Sequence, residues 1–195
     1  MSVVFQTDFN GALEADGGNY ISQSGVYSGE IKRFTFESSQ NGAKFVNIAF
    51  ETDNGVKTDF LKVYYKQNNG NEHYEKRRLD SLFALLGIPT VSYAKRMFNG
   101  REEFYSPEVE GGKITVSLQR KEYLGNDGKV KYKFNIKHFL DYATKKTYKE
   151  LTENTEAKTA EFIYEPITVK PSSGTGNAGG NRLGGGVPSE DDLPF

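Results

Sequence analysis

Between residues 43 and 66 the side chains change face at every step through two consecutive runs, broken once by Asp53-Asn54-Gly55. In 43–52, Val46, Ile48 and Phe50 fall on one side and Phe45, Asn47 and Glu51 on the other. In 56–66, Leu61, Val63 and Tyr65 oppose Phe60, Lys62, Tyr64 and Lys66. A two-residue period belongs to a strand with one buried face. Asn-Gly between two such runs favours a tight hairpin, because both residues tolerate positive φ. The stretch 27–37 supplies Ile31, Phe34 and Phe36, and its Gly29 suits a strongly bent strand. Together these runs predict an antiparallel meander.

The period then changes. Over 72–86, Leu79, Leu82, Phe83 and Leu86 recur at offsets of three and four, the stripe of an amphipathic helix. Gly87 follows its last apolar residue and Pro89 prevents continuation. Alternation returns at 113–123, where Ile114, Val116 and Leu118 oppose Thr115, Ser117 and Gln119. After the turn Leu124-Gly125-Asn126-Asp127-Gly128, Val130, Tyr132, Phe134 and Ile136 alternate with lysines over 129–137. Three strands, a helix and two strands are the order of an OB-fold, a five-stranded Greek-key barrel with a helix between strands three and four. Residues 1–25 read as an irregular arm with a short strand, and 90–112 as a long connection. Within 139–170, Phe162-Ile163-Tyr164 and Ile167-Thr168-Val169 look strand-like.

A chain of 195 residues accommodates one domain over 1–170, a linker over 171–188 rich in Gly, Ser and Asn, and a tip over 189–195. The absence of cysteine excludes disulfides, thiolate metal sites and cysteine nucleophiles. No apolar run approaches the roughly 18 residues that span a bilayer. The start, Met1-Ser2-Val3-Val4-Phe5-Gln6, has no basic and apolar leader pattern. A soluble cytoplasmic protein without a membrane partner is expected.

Total charge, 25 basic against 26 acidic side chains, points to no partner. Its distribution does. Residues 113–149 carry ten Lys or Arg against Glu122, Asp127 and Asp141, whereas 171–195 carry Arg182 against Glu190, Asp191 and Asp192. A protein that holds single-stranded nucleic acid without reading its sequence needs cations for phosphates and rings for unpaired bases. Phe60, Lys62, Tyr64 and Lys66 alternate ring and cation on the third strand. On the last hairpin Arg120, Lys121 and Tyr123 precede the turn, and Lys129, Lys131 and Lys133 follow it. These ten residues are the candidate nucleic-acid contacts. Strands are rich in aromatics by propensity, so core roles compete: Phe60 suits the barrel end and Phe45 the underside of the helix. Four lysines on one strand face, Lys129, Lys131, Lys133 and Lys137, repel one another, a cost that a bound phosphate chain removes. Lys76-Arg77-Arg78 opposes the helix dipole, and fits phosphate contact or a solvated face equally. His73 and His138 read as structural. No cofactor or metal site is expected.

The chain closes with Ser189-Glu190-Asp191-Asp192-Leu193-Pro194-Phe195 after its Gly-rich linker. This ending resembles the C-terminal tip of bacterial single-stranded DNA-binding proteins, with Leu193 in place of Ile and Glu190 in place of Asp. Having no tryptophan and a long 90–112 connection, the body is more similar to the phage-encoded members. Ser28-Gly29-Glu30-Ile31, the Leu79–Ile88 segment with its Leu-Leu-Gly-Ile ending, and Phe134-Asn135-Ile136 resemble segments of those. The resemblance implies a protein that coats single strands in replication, recombination and repair, in the host cytoplasm if phage-encoded. It also implies a tip (Glu190, Asp191, Asp192, Leu193, Pro194, Phe195) that recruits replication and recombination proteins and can occupy the DNA groove. Phe195 is then the anchor, Asp191 and Asp192 steer by charge, and Pro194 stiffens the final turn.

The expected function is therefore non-enzymatic, sequence-tolerant binding of single-stranded DNA. The alternative is an RNA chaperone or strand-annealing recombination mediator, which uses the same cations and rings. A nuclease needs carboxylates gathered around Mg²⁺, and Asp53, Asp59 and Asp80 have no spacing that demands such a site. Oligomeric state is open, a homo-oligomer included.

Overall fold

The computed structural model of the chain describes residues 19–125 and 128–169. The expected linker and tip, and residues 1–18 of the arm, lie outside them. The meander forms as the alternation predicts: β1 (Gly25–Ser38), β2 (Lys44–Thr52) and β3 (Lys57–Lys66) pair antiparallel in chain order. Between β2 and β3, Gly55 adopts φ 80° and its N–H donates to the Thr52 carbonyl at 2.9 Å.

β1 is bent rather than straight. Its register shifts between Ile31 and Arg33, a bulge that turns the strand onto a second neighbour. Residues before the bulge pair with β6 (Lys113–Leu124), from Gly25 opposite Leu118 to Glu30 opposite Lys113. Beyond it, Thr35 and Phe36 pair with Tyr105 and Phe104. Gly29 is required by crowding: a Cβ there would lie 2.0 Å from the Glu51 carbonyl oxygen.

The helix α1 (Lys76–Leu85) starts later than its apolar stripe suggests. Residues 72–75 are still held by β3, through a bridge from Lys66 to Glu72 and a bond from His73 N–H to the Tyr65 carbonyl at 3.0 Å. Leu79 and Leu82 are its buried face. It ends in a Schellman motif: Gly87, at φ 69°, donates to Ala84 and Ile88 donates to Phe83.

Residues 90–112 are not merely a connection. They contain the hairpin β4 (Ala94–Phe98) and β5 (Arg101–Tyr105), with Asn99 at φ 48° and Gly100 at φ 75° between them. Two successive positive φ values are those of a type I′ turn, whose twist matches the strands it joins. Arg33 pairs with Glu103, and Arg96 bridges Glu103 (2.6 Å) and Glu110 (2.6 Å), riveting the hairpin to β1.

β7 (Val130–Leu140) returns antiparallel along β6 and also runs beside β3. Two short helices follow, α2 (Tyr148–Thr152), closed by a Thr147–Glu150 capping box, and α3 (Lys158–Glu161). Phe162, Ile163 and Tyr164 form no strand, contrary to expectation, whereas Ile167–Val169 forms β8, parallel to β6. The result is mainly antiparallel β structure with few short helices. Among the described residues the sheet has eight strands: the five expected, with the β4–β5 hairpin and β8 added. The core is the predicted inward set, including Val46, Ile48, Phe50, Leu61, Val63, Ile114, Val116, Leu118 and Ile136. Among the described residues no helix is long and apolar enough to cross a membrane.

Candidate nucleic-acid interface

The outward residues of β3 face the β6–β7 hairpin across a groove of about 580 Å³. Phe60, Lys62 and Tyr64 line one wall, and Lys121, Tyr123 and Lys133 the other. Alternation explains both walls. Leu61 and Val63 are fully buried, so their neighbours must face outward. On the hairpin, Lys121 pairs with Lys133 and Tyr123 with Lys131, which places each pair on one sheet face.

Phe60 is 71% exposed, so it does not close the barrel end. Phe45 is buried, but beneath Lys62 and Tyr64 rather than under the helix. The Lys62 ammonium sits 4.6 Å above its ring, and Tyr64 is 5.3 Å away at a tilt of 48°. From Tyr64 the aromatic line continues to His73 at 5.5 Å and from there to Tyr74 at 4.5 Å. Of these rings Tyr64, His73 and Tyr74 line the groove. Opposite, the Lys133 ammonium is 5.7 Å from the Tyr123 ring.

The other four candidates are placed differently. Arg120 neighbours Lys121 and so falls on the opposite face of β6. Its guanidinium lies 4.3 Å over Tyr132, pairs with Glu122 at 2.9 Å and donates to the Ser22 carbonyl. It is a clamp for the segment entering β1. Lys66, Lys129 and Lys131 do not line the groove; they are exposed, Lys66 at the end of β3, Lys129 just before β7 and Lys131 within it.

Several lining residues escaped the sequence reading, among them Tyr74, Gln119, Asn135, Ile167 and Val169. Two of these had a signal: Asn135 continues the lysine face of β7, and Gln119 shares a face of β6 with Lys121 and Tyr123. The basic cluster of α1 divides. Arg78 reaches the groove and is held by Glu75, whose carboxylate also accepts from the Tyr64 N–H at 3.1 Å. Lys76 is occupied by Glu72 (3.4 Å) and Asp80 (3.3 Å). His138 is depressed in pKa by burial and then by the Arg78 and Lys137 charges; its Nε2 meets the Tyr164 hydroxyl at 2.9 Å. Among the described residues no three His, Asp or Glu side chains converge to hold a metal ion.

Chemically the groove offers two walls of rings and ammonium groups and a directly opposed lysine pair. Lys121 and Lys133 repel each other across β6 and β7, and an anion between them removes that cost. No protein-family model matches the sequence, and no curated protein is similar to it.

Proposed function

We propose that this chain is a non-enzymatic, sequence-tolerant single-stranded DNA-binding protein built on an OB-fold barrel, closed where β7 runs beside β3. Its role is to coat and protect single strands in replication, recombination and repair. The acidic tip at 190–195 recruits replication and recombination proteins. The groove between β3 and the β6–β7 hairpin carries this reading. Phe60, Tyr64 and Tyr123 supply stacking surfaces, and Lys62, Lys121 and Lys133 supply cations for phosphates, within one groove. Stacking of unpaired bases on rings contributes about 1–3 kcal/mol per base and is blind to sequence. Bases paired inside a duplex present no faces to such rings.

Binding of the full chain to a fluorescent oligo-dT, at low and high salt and against a duplex competitor, tests the proposal. Tight, salt-sensitive binding that duplex does not displace is expected. Equal displacement by duplex, or no binding with or without residues 190–195, overturns it. Acceleration of complementary-strand annealing would favour the recombination-mediator reading.

A further inference from the structure

The groove has a third component that is neither ring nor cation. β8 lies parallel on β6 with Ile167 beside Lys121 and Val169 beside Tyr123. Both aliphatic side chains line the groove. Across three strands the face therefore reads Ile167, Lys121, Lys133 in one row and Val169, Tyr123, Lys131 in the next. A strip of branched hydrocarbon flanks the cations at one strand spacing, roughly 4.8 Å. The segment leading into the strip is anchored twice. The Tyr164 hydroxyl meets His138, and the Gln119 side-chain amide donates to the Glu165 carbonyl at 2.7 Å.

We infer that β8 is a sugar-reading wall, in which Ile167 and Val169 select deoxyribose over ribose. The inference rests on the single-strand reading above and deepens it. When a phosphate sits on Lys121 and Lys133, the sugar attached to it falls against the adjacent strand. A deoxyribose C2′ methylene packs on Ile167 and Val169. A ribose 2′-hydroxyl at the same place is stripped of water and meets no hydrogen-bond partner on either side chain. Telling RNA from DNA at a given position depends on that hydroxyl.

The test uses the full chain with three labelled oligomers of one sequence: deoxyuridine, uridine and 2′-fluoro-deoxyuridine. The first two differ only in the hydroxyl, and the third has an RNA-like sugar pucker without a hydrogen-bond donor. Deoxyuridine should bind about tenfold more tightly than uridine, and the fluoro oligomer should bind like deoxyuridine. In the Ile167→Thr/Val169→Thr variant, which keeps β-branching, adds hydroxyls and shortens residue 167 by one carbon, the preference should narrow to about threefold or less by tightening of the uridine oligomer. A single Val169→Thr variant repeats the test with the smaller change. Equal binding of deoxyuridine and uridine by the unaltered chain overturns the wall. So does an unaltered preference in a folded variant, or a fluoro oligomer as weak as uridine, which would assign selection to pucker. Failure to bind any of the three overturns the single-strand reading itself.

Discussion

Phe60 and Gly29 are extremes of constraint. Phe60 is largely exposed on the groove wall, so Phe60→Ala should leave the urea unfolding midpoint unchanged while weakening oligo-dT binding by about 1–3 kcal/mol. An unchanged affinity would remove this ring from the stacking surface. Gly29 has the opposite profile, because any side chain there collides with the Glu51 carbonyl. Gly29→Ala should destabilise the protein by about 2–4 kcal/mol in urea denaturation, since backbone rather than a flexible side chain must give way. Among the cations, Lys62, Lys121 and Lys133 share the groove. Replacing all three with Ala should reduce the slope of log affinity against log salt by about 0.7 for each phosphate no longer neutralised. The same triple change at Lys66, Lys129 and Lys131, outside the groove, should lower the slope less.

At the scale of the element, α2 depends on one carboxylate. Burial works against ionisation of Glu150, but bonds from the N–H and hydroxyl groups of Thr147 and Thr159 outweigh it and bring its pKa down to about 2. A carboxyl whose folded pKa lies below its ordinary value stabilises the fold above that ordinary value, and this contribution fades as pH falls towards the folded one. Stability should therefore decline between pH 4.5 and about 2, and Glu150→Gln should flatten that decline in urea titrations at successive pH values. The elements also show what the sequence can and cannot convey. Meander, helix and final hairpin were legible because each buries one face and so imposes its period. The β4–β5 hairpin was not, although Asn99-Gly100 announces its turn. Lys95, Arg96, Arg101, Glu102 and Glu103 interrupt any apolar alternation, and the hairpin is secured by ion pairs with Arg33 and Glu110. Periodicity gave the faces of Phe60, Lys62 and Tyr64, but not reach: which lysines line the groove depends on where β7 meets β3. Ile167 and Val169 enter the groove through a parallel pairing with a strand far back in the sequence, for which local pattern carries no signal.

The molecule as a whole is nearly neutral, yet its basic groove and acidic C-terminal residues are separate regions of one chain. Removing Glu190–Phe195 should leave oligo-dT affinity equal or higher while abolishing capture of partner enzymes; a large fall in affinity would make the tip part of the DNA site. β4 ends the hydrogen-bonded path that begins at β3, four strand spacings or roughly 19 Å along the sheet from the groove wall. Its turn at Asn99-Gly100 is exposed, and the hairpin is joined to β1 by two residue pairs and the Arg33–Glu103 ion pair. That makes the hairpin tip a natural port: a dye, an affinity handle or a small inserted domain placed there would leave the groove clear.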